Sequence, residues 1–239
     1  ITPVILCNRV QYMTIVIERG YMSDTGKSSY GMVALVLLAV WLGVVVVAAS
    51  AGLFGPGRIP PPAATAVPLV VFGIWVAVSR TFRGYVLSVD VRTLTFLQAW
   101  RIVGFAFVTG GVYGILPNSF ARPAGWGDVL VGLTAPLAAL YLTRPGRARA
   151  FVAWQLLGML DLGIALTTGL LASGIFHPVA GVLTSRELTT LPYSVIPTFA
   201  VPVVLIFHFI CIWQVARQTA FAHERRGGHG VAPTLSPAR

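Results

Sequence analysis

Long apolar runs, separated by short polar segments, dominate the pattern of this 239-residue chain. Runs of about 20 apolar residues match the length that an α-helix needs to cross the hydrocarbon core of a bilayer. We therefore predict an all-α polytopic transmembrane bundle in contact with lipid. Its six spans cover about residues 33–54, 64–80, 93–115, 127–142, 150–172 and 196–217. Pro202 falls near the start of the sixth span, where proline is expected to kink a helix.

Two flanking segments lack the apolar pattern. Residues 1–30 resemble neither a signal peptide nor a span, so we expect a disordered or non-native segment there. The transmembrane domain then occupies residues 31–217. Residues 218–239 are polar and rich in glycine and proline, which predicts a disordered cytoplasmic tail.

Composition supports insertion into a membrane. Hydrophobic residues make up 56% of the chain and charged residues only 10%, whereas a soluble domain carries about 25% charged residues. The net charge of +10 favours no nucleic-acid partner, because the basic residues lie between apolar runs rather than on one soluble face. Arginine supplies all but one of the 17 basic residues, which hints at a GC-rich bacterial genome and hence a bacterial inner membrane.

The basic residues also predict an orientation. Between Lys27 and Arg226, ten of them lie before span one, between spans two and three, between spans four and five, or after span six. The remaining three connections hold one arginine each, namely Arg58, Arg122 and Arg186. Since arginine and lysine accumulate on the cytoplasmic side, both ends of the chain are expected there.

Three ionisable residues fall well inside predicted spans: Arg101, Asp161 and His208. Even on lenient scales a charge at the bilayer centre costs about 2.5–3.5 kcal/mol, so such residues usually pair. Similar depths along their helices predict an Arg101–Asp161 pair with His208 as a third member. Gln98 shares the helix face of Arg101, and we assign Gln98 and Gln155 to the same intramembrane polar site.

The segment LPNSFARPAGWGD, residues 116–128, links predicted spans three and four on the outer side. Its prolines and glycines are typical of turns. Asp128 would then cap the start of span four, because a carboxylate is favoured at a helix N-terminus. The alternative is a re-entrant loop that lines an outer cavity, with Asp128, Arg122 and Asn118 at its mouth.

Motifs of catalysis and cofactor binding are missing from the sequence. We find no hydrolase, zinc-protease, nucleotide-binding or redox signature, and we predict no metal site and no cofactor. His208 is the single histidine within a predicted span, which argues against a haem held by two histidines. These observations do not favour an enzyme.

Four segments resemble a group of bacterial multi-pass membrane proteins that are described as hypothetical. The segments are QAWRIVG, LPNSFARPAGWGDVLVGLTAP, WQLLGMLDLGIA and IPTFAVPVVLIFHF, and the resemblance covers about residues 32–218. It implies that Arg101, Asp128, Asp161, Pro197 and His208 belong to the pattern of the group. It implies no activity.

Three functional hypotheses follow. The first is a membrane protein that binds or transports a small solute or protons through the polar site. The second is a structural or partner-binding subunit whose Arg101–Asp161 pair only locks helices. The third is an intramembrane enzyme that acts on a lipid or quinone, with Asp161 and His208 as acid and base.

Overall fold

The computed structural model describes residues 24–54, 58–173 and 183–227, and within these ranges the chain forms helices and their connections without a strand. In chain order the helices are α1 (Asp24–Ser50), α2 (Pro61–Val78), α3 (Arg80–Ser88), α4 (Val91–Phe96), α5 (Phe105–Val112), α6 (Asn118–Leu137), α7 (Ala148–Leu171) and α8 (Val201–Gly227). A 3₁₀ stretch (Leu97–Gly104) joins α4 to α5. A second 3₁₀ turn covers Ser185–Thr189, and π turns cover Ala138–Leu142 and Ile196–Ala200.

Five helical segments are long and apolar enough to cross a membrane. They are Tyr30–Ser50, Pro61–Val78, Asn118–Leu142, Ala148–Leu171 and Ile196–Gln218. The prediction of an all-α protein is thereby confirmed for the described residues, and these five segments are candidates to span a membrane. The predicted third span, 93–115, is not among the five, because α4, the 3₁₀ stretch and α5 share that part of the chain.

The predicted flanks differ from the structure where it describes them. Helix α1 begins at Asp24, inside the segment expected to be disordered. Helix α8 continues to Gly227, beyond the expected start of the tail at residue 218. The predictions for residues 1–23 and 228–239 lie outside the described residues.

Helix α8 lies at the centre of the bundle, and α1 and α2 lie at its edge. Half of the apolar window of α8 is buried, against 11% for α1 and 6% for α2. Leu35 and Val78 are typical of the exposed apolar side chains of the two outer helices. Val45 and Ala49 bring α1 into the bundle by packing against Phe199. The exposed apolar surface is what a lipid-facing helix requires, since lipid tails are as apolar as leucine.

The π turn before α8 has a local cause at Pro202. Proline has no N–H to donate to the carbonyl of Thr198, and its ring crowds that carbonyl. In the same turn, the Thr198 hydroxyl donates to the carbonyl of Ser194 at 2.6 Å. The neighbouring carbonyl of Pro197 accepts a hydrogen bond from the Thr65 hydroxyl at 2.5 Å, which ties α2 to the start of α8. The proline expected to kink the sixth span thus follows directly on a π turn.

The two ends of the bundle differ in character. At one end, the Gln214 amide donates to the carbonyls of Val86 and Val89, at 3.1 and 3.0 Å, and so joins the second half of α8 to the C-terminal end of α3. The same end carries a buried apolar cluster of Val86, Leu94, Phe151, Ile210 and Cys211. The arginine-bearing segments 79–90, which contain α3, and 143–147 lie here, and they make this the arginine-rich end. The opposite end carries the cluster of Phe107, Leu116, Phe120, Ala121, Ala124 and Leu188.

The prediction of a loop over residues 118–127 is wrong, because this segment is helical. Pro117 provides an extended N-cap, and α6 begins directly after it. The missing N–H of Pro123 costs the helix one hydrogen bond. Gly125 permits close packing rather than a turn, since an added Cβ there would lie 2.6 Å from Cγ2 of Val108. Asp128 therefore lies in the middle of α6 and caps no helix.

The 3₁₀ stretch is packed tightly against α6. In a 3₁₀-helix the side chains at i and i+3 eclipse one another. Gln98, Arg101 and Gly104 are therefore aligned on one face, and all three are buried. On the α6 side, a Cβ added to Gly132 would lie 2.6 Å from the backbone nitrogen of Ile102. Close contact between the two backbones thus holds the aligned face against α6.

We expect Gly132→Ala to destabilise the protein, because the new methyl group meets backbone that cannot move aside. Such overpacking typically costs about 1–3 kcal/mol. The matched control is Gly163→Ala in α7, where an added Cβ finds nothing within 4 Å and alanine is the better helix former. Unfolding in detergent should show a lower midpoint for the first variant only. Equal midpoints for the two variants would contradict the close contact.

Candidate functional site

The guanidinium of Arg101 lies between two carboxylates from different helices. Its Nε donates to Oδ1 of Asp128 on α6 at 2.7 Å, and its Nη2 donates to Oδ2 of Asp161 on α7. Nη1 donates to the carbonyl of Gly158 at 3.3 Å. The Arg101 side chain is only 2% exposed, and the two carboxylates are 13% and 11% exposed. The predicted Arg101–Asp161 pair is present, and Asp128 is a second partner that the sequence prediction placed elsewhere.

The two carboxylates lie about halfway along candidate membrane-spanning segments. Asp128 lies near the middle of Asn118–Leu142, and Asp161 lies near the middle of Ala148–Leu171. His208 has the same position in Ile196–Gln218. A charge at this depth is costly unless it is paired, which explains why each N–H-bearing atom of the guanidinium has an acceptor.

Glycines bring the three elements close enough to form the ion pairs. A Cβ added to Gly127 would collide with the carboxylate of Asp161, and one added to Gly104 would collide with the side chain of Asp128. A Cβ at Gly158 would lie 3.4 Å from Nη1 of Arg101. Small residues at helix interfaces let backbones approach closely in membranes. Here that approach places both carboxylates against one arginine.

The charges of this cluster do not balance. One guanidinium carries one positive charge, and two ionised carboxylates carry two negative charges. The three side chains alone thus leave one negative charge near the middle of the candidate spans. An uncompensated charge in this environment is expensive. The arrangement is suited to hold one proton or another single positive charge.

His208 lies beside the cluster, but it bonds to a different set of residues. Its Nδ1 is 2.5 Å from Oε1 of Gln155 and 3.4 Å from Nε2 of Gln98. Gln155 Nε2 donates to the Thr95 hydroxyl at 3.4 Å, and that hydroxyl donates to the carbonyl of Val91 at 2.8 Å. Thr95, Gln98, Gln155 and His208 are all buried. Together they form a polar network on the arginine-rich side of the cluster.

Two atoms in this network have no hydrogen-bond partner among the described residues. They are Nε2 of His208 and Oε1 of Gln98. A Cβ added to Gly158 would lie 2.7 Å from Nε2 of His208 and 3.4 Å from Nη1 of Arg101. Nε2 is therefore turned toward the side of the site where the arginine lies. Buried polar atoms without a partner are rare, and they often mark functional groups.

The other predicted residues lie apart from this site. Asn118 and Arg122 are exposed in the first turns of α6, far along that helix from Asp128, so the three do not form a common mouth. In the described part of the chain, no three His, Cys, Asp or Glu side chains are grouped to hold a metal ion. Sequence reasoning missed Thr95 and the role of Asp128.

Comparisons with known proteins identify a family without assigning it a function. Residues 60–216, more than half of the chain, match the model of a family described as "Domain of unknown function (DUF8737)". The match includes Arg101, Asp128, Asp161 and His208. No curated protein and no solved structure matches the chain.

We expect the two carboxylates to substitute for each other in pairing Arg101. Asp128→Asn or Asp161→Asn alone leaves one ion pair and an amide oxygen, so each should cost at most about 1.5 kcal/mol of unfolding free energy. The double variant leaves the arginine buried and unpaired, which typically costs about 3–5 kcal/mol. Chemical unfolding of the three variants in detergent measures this non-additivity. Strictly additive costs would show that the carboxylates act independently.

Proposed function

The chain belongs to the DUF8737 family, a domain of unknown function, and from its buried charge cluster we propose that it binds one exchangeable proton near the middle of the membrane. The proton neutralises the negative charge that Asp128 and Asp161 leave in excess over Arg101. We further propose that proton binding serves the transport of protons or of a small solute across a bacterial inner membrane.

The unequal charge of the cluster carries this proposal. A pair that only locks helices needs one carboxylate for one arginine, and a second buried carboxylate adds a desolvation cost without a second cation to offset it. A proton removes that cost and needs no cavity, unlike a larger ligand. Two carboxylates that share a site cannot both ionise freely, which is the usual basis of a shared proton.

A six-span topology suits this function, with both ends in the cytoplasm. α4, the 3₁₀ stretch and α5 follow one another without a break from Val91 to Val112. At a rise of about 1.5 Å per α-helical and 2.0 Å per 3₁₀ residue, they extend about 37 Å. That length exceeds the roughly 30 Å hydrocarbon core, so this segment can serve as the third span in chain order and bring the number of spans to six. The arginine-rich end is then cytoplasmic.

The strongest rival is the structural lock. It is favoured by the engagement of all three guanidinium nitrogens with protein acceptors. The lock and the proton site differ in two observable respects: the presence of a proton on a carboxylate, and access of water to the cluster.

We expect the protein to hold a protonated carboxylic acid at neutral pH. In lipid nanodiscs, the infrared C=O stretch of that acid should be present in the wild type. It should disappear in Asp128→Asn and in Asp161→Asn, since each variant balances the arginine without a proton. Asp90→Asn is the matched control. Asp90 is an exposed helix cap whose pKa is lowered by the hydrogen bond from Thr93, so its substitution should leave the band unchanged. A wild type without the band, and without a proton held by His208 in its place, would contradict the proposal.

We also expect water to reach the cluster from one side of the membrane. In a background with Cys7→Ala and Cys211→Ala, Asp161→Cys keeps the Arg101–Asp128 pair and places a thiol in the site. A small membrane-impermeant thiol reagent should label it from one face of oriented vesicles. The control is Leu160→Cys, whose parent side chain is 61% exposed on the outer, apolar surface of the bundle and should stay unlabelled in lipid. A folded Asp161→Cys variant that resists labelling from both faces would favour the structural lock.

A further inference from the structure

We propose that His208 is the second proton-binding group of the site, and that Thr95 and Gln155 are positioning residues that keep the lone pair of its Nε2 available. This inference rests on the proposed proton-binding function. It is carried by the hydrogen bonds around the imidazole and by the unpartnered Nε2 atom.

The hydrogen-bond directions follow from a fixed starting point, the carbonyl of Val91. A backbone carbonyl only accepts, so the Thr95 hydroxyl donates its one hydrogen to it. Thr95 Oγ1 can then only accept from Gln155, which sets the amide of Gln155 with Nε2 toward Thr95 and Oε1 toward His208. Because Oε1 accepts, Nδ1 of His208 must be the donor across the 2.5 Å contact. The proton of the neutral ring lies on Nδ1, and Nε2 carries a lone pair.

The groups that face His208 come from every element packed around it. Helix α7 contributes Gln155 and Gly158, with Asp161 one turn further along. The 3₁₀ stretch contributes Gln98 and Arg101, and Asp128 reaches the site through its ion pair with Arg101. On α8 itself, the nearest titratable side chain is Cys211, which contacts Thr95 at 3.9 Å. No further charged side chain joins this network in the part of the chain that the structure describes.

With His208 included, the charges of the site can balance in two ways. Arg101 and one protonated carboxylic acid balance one carboxylate. Alternatively, Arg101 and an imidazolium balance two carboxylates. Both states contain the same single proton and the same total charge of zero, so the proton can move between them without creating net charge in the membrane.

The proposed step transfers one proton from a carboxylic acid of the cluster to His208. The O–H bond of the acid breaks, and its electron pair stays on oxygen as a carboxylate. An N–H bond forms at Nε2 with the lone pair of the ring. The result is an imidazolium beside two carboxylates and one guanidinium. A ring with its hydrogen already on Nε2 could not accept the proton, so the tautomer set by Thr95 and Gln155 is a condition for the step.

The test is ¹⁵N NMR of the imidazole in a protein with His208 as its single histidine. The sequence contains four histidines, and His177, His223 and His229 are each replaced by Gln. We expect the Nδ1 resonance of a protonated nitrogen and, at Nε2, a resonance largely of lone-pair character. Asp128→Asn removes the shared proton, so the proton-bearing fraction at Nε2 should fall from a measurable value to zero.

Thr95→Val tests the positioning role, with Thr95→Ser as the matched control. Valine removes the hydroxyl that orients Gln155, so the amide can turn and present its nitrogen to Nδ1. The tautomer should then shift toward hydrogen on Nε2. Serine keeps the hydroxyl and should keep the wild-type spectrum. This readout separates positioning from a purely structural role, because loss of packing alone would not exchange the two nitrogens.

The outcomes distinguish this inference from the proposed function. If the infrared band of a carboxylic acid is present but His208 carries its hydrogen on Nε2, or if Thr95→Val leaves the tautomer unchanged, the inference is overturned and the proton site remains. If both the band and a proton-bearing fraction at Nε2 are absent, the proposed function is overturned and the second proton-binding group with it. The full expected pattern is the band, the Nδ1–H tautomer, and a tautomer change in Thr95→Val but not in Thr95→Ser.

Discussion

A guanidinium in the interior of a bilayer must find negative charge within reach, and the core of this bundle is arranged around that requirement. Arg101 obtains Asp128 from α6 and Asp161 from α7. Both helices must therefore approach the arginine-bearing stretch closely, which only residues without a Cβ permit at Gly104 and Gly127. The 3₁₀ geometry serves the same end, because it aligns Gln98, Arg101 and Gly104 on one buried face.

The polar interior extends from the arginine toward the arginine-rich end and stops before the other. Thr95, Gln98, Gln155 and His208 form hydrogen bonds between the cluster and α4. Toward the opposite end the core consists of side chains such as Phe107, Leu116 and Phe120. The stability of a buried polar network depends on each of its members, since an unsatisfied buried group costs more free energy than a satisfied hydrogen bond gains. This asymmetry leaves a polar hydrogen-bond network on one side of the cluster and a mainly apolar core on the other.

Much of this arrangement could be predicted from the sequence, because the bilayer penalises charge so strongly. Three ionisable residues within apolar runs were enough to predict the Arg101–Asp161 pair. Asp128 was missed because its neighbours Pro123, Gly125 and Gly127 are typical of turns, whereas in the bundle those glycines serve close packing. The 3₁₀ stretch and the Thr95 contact depend on tertiary packing, which no local pattern encodes. The number of spans stays a prediction.

The second carboxylate distinguishes a lock from a proton site. Locking α6 and α7 to the arginine-bearing stretch requires only one ion pair and a neutral hydrogen bond. An asparagine at residue 128 would meet that requirement, since its amide oxygen would still accept from Nε of Arg101 without adding charge. The aspartate instead leaves the site one positive charge short, and His208 lies alongside with an unpartnered nitrogen. Two carboxylates beside a permanently charged guanidinium and an imidazole can hold one exchangeable proton, on a carboxylate or on the imidazole, with the same net charge, which is the property that a reversible proton carrier needs.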